Sequence, residues 1–174
     1  ANGTPLDDRF DNVARAARRV GHAPALFGYT DQSIDPREAH GPADPRLTTY
    51  CGVLPGFDPV LEIPDDHQPW LDRLATLGYD VAPGAYPLLA LEHERPEEHS
   101  VGAFLTDNAI AWIRDQTEPW FAHLSYLRPH PPYSAPGAWG TAYDPADVEP
   151  PIPPPAERTA FHDVVLSVSQ AAAP

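Results

Sequence analysis

Residues 101–133 read VGAFLTDNAIAWIRDQTEPWFAHLSYLRPHPPY, and this stretch decides the fold. Val101, Phe104, Leu105, Ala109, Trp112 and Ile113 recur at the spacing that places them on one helix face. Ser100 stands where a cap would accept the first free amide. The pattern predicts a helix over 101–116. Pro119 then opens Trp120 to Leu127, a run apolar on both faces that reads as a buried strand. The same order occurs near the start of the chain. Leu6 to Val20 carries Phe10, Val13, Ala14, Ala17 and Val20 on one helical face, with Asp7 and Asp8 at the positive end and Arg18 and Arg19 in the last turn. Gly21 supplies the stop, and Ala23 to Tyr29 follows as a second buried strand. Two helix-to-strand units predict an α/β domain with a mostly parallel sheet.

Between the units, a Pro- and Gly-rich segment from Asp31 to about Pro64 reads as loop. His67 to Leu77 reads as a shorter helix ended by Gly78, with Asp65, Asp66 and His67 supplying its N-cap. Tyr79 to Ala90 fits either helix or loop. From Arg128 to Pro155 the chain is proline-dominated and extended, and a last helix is expected over Glu157 to Gln170. Of the 174 residues 24 are proline, yet 42% are hydrophobic, with four Trp, seven Tyr and six Phe. That is core material for a folded domain with long stiff connections, which disorder does not carry. Trp70 and Trp112 fall on apolar helix faces and read as core.

Charge and composition exclude several functions. The 25 acids stand against 11 basic residues, all arginine, for a net charge of -14, which repels nucleic acids and anionic membranes. Without lysine there is no Schiff base and no phosphate loop ending in Gly-Lys-Ser/Thr. The lone Cys51 gives no disulfide framework. The chain contains no Met and reads as cut from something longer; with no leader pattern visible, a cytoplasmic location is expected.

In parallel sheets, functional groups gather at the carboxyl ends of the strands. The first strand runs into Gly28-Tyr29-Thr30-Asp31-Gln32-Ser33-Ile34-Asp35-Pro36-Arg37, which offers hydroxyls, a carboxylate and an arginine. The second runs into Arg128-Pro129-His130-Pro131-Pro132-Tyr133, where a histidine sits between prolines that lower the entropic cost of holding it. Ordinary turns are the alternative reading of both.

These two segments, Leu26 to Arg37 and Phe121 to Tyr133, with Asn2-Gly-Thr-Pro-Leu6 upstream, resemble the middle portion of the sulfatase and phosphonate monoester hydrolase family of the alkaline-phosphatase superfamily. The resemblance covers residues 1 to about 150. It implies part of an α/β/α sandwich with long Pro-rich loops, and residues 1–174 as a single incomplete catalytic domain. It further implies hydrolysis of a sulfate, phosphate or phosphonate ester, with a small-molecule ester as partner. His130 matches the family histidine that binds a non-bridging or leaving-group oxygen, and is the implied catalytic residue. The typical sulfatase Gly-Lys-Trp-His is Gly-Tyr-Thr-Asp here, a departure that resembles the phosphonate monoester hydrolase branch, which uses a tyrosine and a threonine there. The implied substrate-binding residues are therefore Tyr29, Asn2, Thr30 and Asp31. Asp31 replaces a hydroxyl, and a carboxylate facing an anionic ester needs a metal or an arginine to offset it.

The family nucleophile, a Cys or Ser in Cys/Ser-x-Pro-x-Arg whose cysteine becomes formylglycine, has no counterpart. Cys51-Gly52-Val53-Leu54-Pro55 has proline at the wrong offset and no arginine. The family's metal-binding aspartates are also missing. No metal ligand is assigned within this chain, and a divalent ion of the Ca, Mn or Zn class with formylglycine is implied only for the complete enzyme. The chain alone is expected to be inactive. Glu92 to His99 reads as a solvated acidic run, and His123 as a core histidine. The alternative class is a non-catalytic binding or scaffold module that engages a protein through its Pro-rich half. Truncated sheet edges would then favour self-association.

Overall fold

A computed structural model of the chain describes residues 4–7, 9–153 and 157–171. Two compact units divide it, Ala1–Ala142 and Tyr143–Pro174. In the first, α1 (Val13–Arg19) leads into β1 (Ala23–Gly28), then β2 (Asp58–Glu62), α2 (Gln68–Thr76), α3 (Ala85–Ala90), α4 (Val101–Arg114) and β3 (Trp120–Leu124). The strands form one parallel sheet in the order β2-β1-β3. Ala23 pairs with Trp120 and Phe27 with Leu124 on one side of β1, and Ala25 pairs with Asp58 and Gly28 with Glu62 on the other. The α/β reading with a parallel sheet therefore holds.

Successive residues of β1 point to opposite faces, so the central strand feeds two cores. Ala25 and Phe27 pack with Trp70, Leu74, Leu89 and Leu105 from α2, α3 and α4. Leu26 packs on the other face with Ala14 of α1 and with Phe57. Phe27 and Trp70 are fully buried, each side chain contributing about 2–3 kcal/mol of apolar burial. Trp112 is only partly buried and meets Phe27 edge-on at 5.7 Å.

Several expectations are corrected. Helix α1 begins at Val13 rather than Leu6, because the Asn12 carboxamide accepts the Arg15 amide at 3.0 Å and fixes the start there. Asp7 is spent on the Arg9 amide at 3.0 Å, and of the expected apolar face only Ala14 is buried. Phe10, Val13 and Val20 are exposed. The Gly21 stop is as expected, at φ 85°. The 31–64 segment contains a strand, β2, which the reading as loop missed. Pro59 lies inside it, and only an edge strand tolerates that. The same segment holds two short 3-10 turns, Pro36–Glu38 and Pro45–Leu47, each opened by an Asp-Pro-Arg triplet. In each, the aspartate accepts the arginine amide two residues on and pairs with its guanidinium. Asp35 is thereby held down to about 2, chiefly by its bond to the Arg37 side chain.

At the start of α2 the N-cap is His67, with no side-chain cap bond, and Asp66 accepts the Gln68 amide at 3.1 Å. Helix α4 ends two residues before the expected 116 and keeps its Ser100 cap, on the Ala103 amide at 3.1 Å. After β3, residues 128–153 hold no regular strand or α-helix, only short 3-10 turns at Gly137–Thr141 and Pro145–Asp147. In the second unit α5 (Ala160–Ala171) leaves Phe161, Val164 and Val168 exposed. Among the described residues no helix is long and apolar enough to cross a membrane.

Candidate active site

All three strands end on the same side of the sheet, and the backbone ladder on β1 continues one step past β2 and β3. The Ile63 amide donates to the Gly28 carbonyl and the Ser125 amide to the Phe27 carbonyl, both at 2.8 Å. This draws Tyr29, Ile63 and Ser125 together at the carboxyl edge. Gly28 makes the approach feasible: a Cβ there would lie 2.4 Å from the Ser125 carbonyl oxygen, and its φ of 103° suits glycine alone. A cleft of about 370 Å³ opens at this point. Its polar wall includes Tyr29, Asp31, Asp65, His67, Arg128 and His130, and its apolar wall Ile63, Tyr86, Val101 and Leu105. Tyr29 and His130, some hundred positions apart in sequence, thus border one cleft.

The Tyr29 hydroxyl is held protonated. Burial raises its pKa first, and the carboxylates of Asp31 and Asp65 add to the rise. It remains a neutral hydrogen-bond donor into the alkaline range. In an ultraviolet titration, the phenol lost on Tyr29→Phe is expected to be one that ionises above pH 10. A difference that titrates at or below 10 would contradict this environment.

His130 lies in an exposed loop whose form is set by a neighbour. Arg128 donates to the carbonyls of His130 at 2.8 Å, Pro132 at 2.5 Å and Leu89 at 3.1 Å, and pairs with Glu92 at 3.2 Å. The His130 amide bonds the Leu127 carbonyl at 2.9 Å. Nδ1 of His130 lies 2.9 Å from the Pro131 carbonyl. A carbonyl only accepts, so Nδ1 carries the hydrogen and Nε2 is left to face a ligand.

Glu92 corrects the reading of residues 92–99 as a solvated run: it is 1% exposed. Its two oxygens take the Arg128 guanidinium and, at 3.3 Å, the Val101 amide at the start of α4. Ala85, Leu89 and Glu92 are all buried, at the i, i+4, i+7 spacing of one helical face, and that spacing was the signal available in the sequence.

Thr30 does not line the cleft. Its hydroxyl donates to the Gly52 carbonyl at 2.8 Å and accepts the Leu54 amide at 2.9 Å, tying the loop after β1 to residues 52–54. Asp31 does line it, and its carboxylate is exposed. Asn2 lies outside the described residues. His123 is half-buried against Phe57, with ring centroids 5.4 Å apart, and does not border the cleft. Neither does Cys51, whose Sγ lies 3.2 Å from the Thr49 hydroxyl. Among the described residues no three His, Cys, Asp or Glu side chains gather as a metal site. The described residues therefore do not make up a divalent-metal site, and Cys51, away from the cleft, does not fit a formylglycine precursor.

No family model matches the chain. It is 30% identical over 164 residues to the multifunctional alkaline phosphatase superfamily protein PehA of Trinickia caryophylli, across 87% of this chain and 32% of that protein. Among solved structures it resembles the phosphonate monoester hydrolase of Agrobacterium radiobacter, with a TM-score of 0.76 and 38% identity over 99% of this chain and 36% of that one. It also resembles the phosphonate monoester hydrolase of Silicibacter pomeroyi, with a TM-score of 0.73 and 38% identity over 90% of this chain and 33% of that one. The chain spans about a third of the length of these relatives.

Proposed function

We propose that this chain, a homologue of the phosphonate monoester hydrolases of the alkaline phosphatase superfamily, forms the substrate-binding wall of a hydrolase acting on phosphonate, phosphate or sulfate esters. The observation that carries the reading is the meeting of Tyr29 and His130 at one cleft on the carboxyl edge of the sheet. Residues 1–174 then belong to one catalytic domain, whose nucleophile and divalent metal come from outside this sequence. The 174 residues alone turn over no ester.

Each side chain has a task on the substrate's anionic group. The Tyr29 hydroxyl, kept neutral by burial and by its acidic neighbours, donates a hydrogen bond to an ester oxygen. His130 turns Nε2 to the ester from a ring oriented by the Pro131 carbonyl; with both ring nitrogens protonated it donates to the ester or leaving oxygen and stabilises the charge that develops there. Asp31 at the same wall disfavours an unneutralised anion, so substrate binding depends on the cation supplied from elsewhere. Thr30 holds the loop that carries Tyr29 and Asp31 in place. Asn2 is proposed as a further substrate contact on the family resemblance alone.

The test is Tyr29→Phe in the hydrolase that carries this chain, assayed on an aryl sulfate and on an aryl phosphonate monoester. Loss of one hydrogen bond to an anion is expected to lower kcat/KM about tenfold on the preferred ester class. Unchanged kcat/KM on both classes would remove Tyr29 from the site.

A further inference from the structure

His67 has no part in the chemistry proposed above, yet it borders the same cleft. It is 2% exposed and takes a left-handed backbone, φ 53° and ψ 28°, the one non-glycine residue at positive φ among those described. Such conformations are sparsely populated and persist where the surrounding structure imposes them, often at ligand sites. Here the His67 amide bonds the Pro64 carbonyl at 2.8 Å, and the His67 carbonyl accepts the amides of Trp70 and Leu71 at 3.0 Å. The ring stands edge-on between Trp70 and Tyr86, at centroid distances of 6.4 and 6.3 Å.

Its two nitrogens differ sharply. Nδ1 lies 2.8 Å from the Asp65 carbonyl, an acceptor, so Nδ1 carries the hydrogen and the neutral ring presents a lone pair at Nε2. That Nε2 is buried and has no hydrogen-bond partner among the described residues. A buried polar atom left unmatched costs free energy that a ligand or an ordered water recovers. The cleft that His67 borders has an apolar wall, formed by Ile63, Val101, Leu105 and Tyr86, the last of which meets the His67 ring edge-on.

We propose that His67 is a binding residue for the organic group of the ester, selecting an apolar or aromatic body that carries a hydroxyl to donate to Nε2. This rests on the reading of the cleft as a substrate site, and adds to it a second, interior pole. Tyr29 and His130 serve the anionic end, and His67 serves the organic end.

The test is a titration of the 174-residue chain with phenol and with toluene, which share a shape and differ by one hydroxyl, followed by the ¹⁵N resonance of His67 Nε2. Phenol is expected to bind about tenfold more tightly than toluene and to move that resonance in the direction of an accepted hydrogen bond. In His67→Phe the preference is expected to fall to about one. Equal binding of the two probes, binding of neither, or a preference that survives in His67→Phe would overturn the proposal. The wild-type resonance decides the matter even if His67→Phe does not fold: an Nε2 signal unmoved by saturating phenol overturns it. Methylphosphonate, titrated into the hydrolase that carries this chain, where the offsetting cation is present, reports on the Tyr29 and His130 end. Phenol preference without perturbation of His130 by methylphosphonate would count against the hydrolase reading and in favour of the His67 assignment.

Discussion

Replacing His130 by alanine in the hydrolase that carries this chain is expected to lower kcat by about 10²–10³-fold, the usual cost of losing one group that stabilises developing charge. Stability is expected to change little. The ring is exposed, and the loop is held by main-chain contacts: Arg128 grips the carbonyls of His130 and Pro132, and the His130 amide bonds Leu127. Steady-state kinetics beside a melting curve separate the two effects. Near wild-type turnover with an unchanged Tm would take His130 out of the chemistry.

The largest expected stability effect lies at a residue that touches no substrate. Glu92→Ala leaves the Arg128 guanidinium, whose side chain is 19% exposed, without its carboxylate, and it strips the Val101 amide at the start of α4. Removing one partner of a buried ion pair is expected to cost about 3 kcal/mol, read as a lower denaturant midpoint. The same change loosens the loop from Arg128 to Pro132, so activity is expected to fall below what the lost stability alone explains. A midpoint within experimental error of wild type would show that Arg128 finds its anchor elsewhere.

These two residues also mark how far the sequence could be read. His130 was visible because strand, prolines and histidine are contiguous. The central strand and α4 were visible because continuous apolar runs and a Ser100 cap are local signals. Helix α1 was overdrawn because periodicity runs back to Leu6, while the Asn12 side chain caps the helix and starts it only at Val13. Strand β2 was hidden by Pro59 and its flanking acids, which an edge position alone permits. Glu92 looked like one more solvated acid, because its partner Arg128 lies 36 positions away. The backbone of His67 was unread for a different reason: its amide bonds the nearby Pro64 carbonyl and its own carbonyl opens α2, and a histidine carries none of the sequence mark of a left-handed backbone that a glycine does.

The claim that most needs testing is that Tyr29 and His130 act on the same anionic group. The decisive measurement is kcat/KM of the Tyr29→Phe/His130→Ala double variant on an aryl phosphonate monoester, set against each single variant. Two groups that stabilise one charge are not independent, so the double variant is expected to lose clearly less than the product of the two single losses. Single losses that multiply cleanly, or a double variant with wild-type kcat/KM, would contradict the shared site.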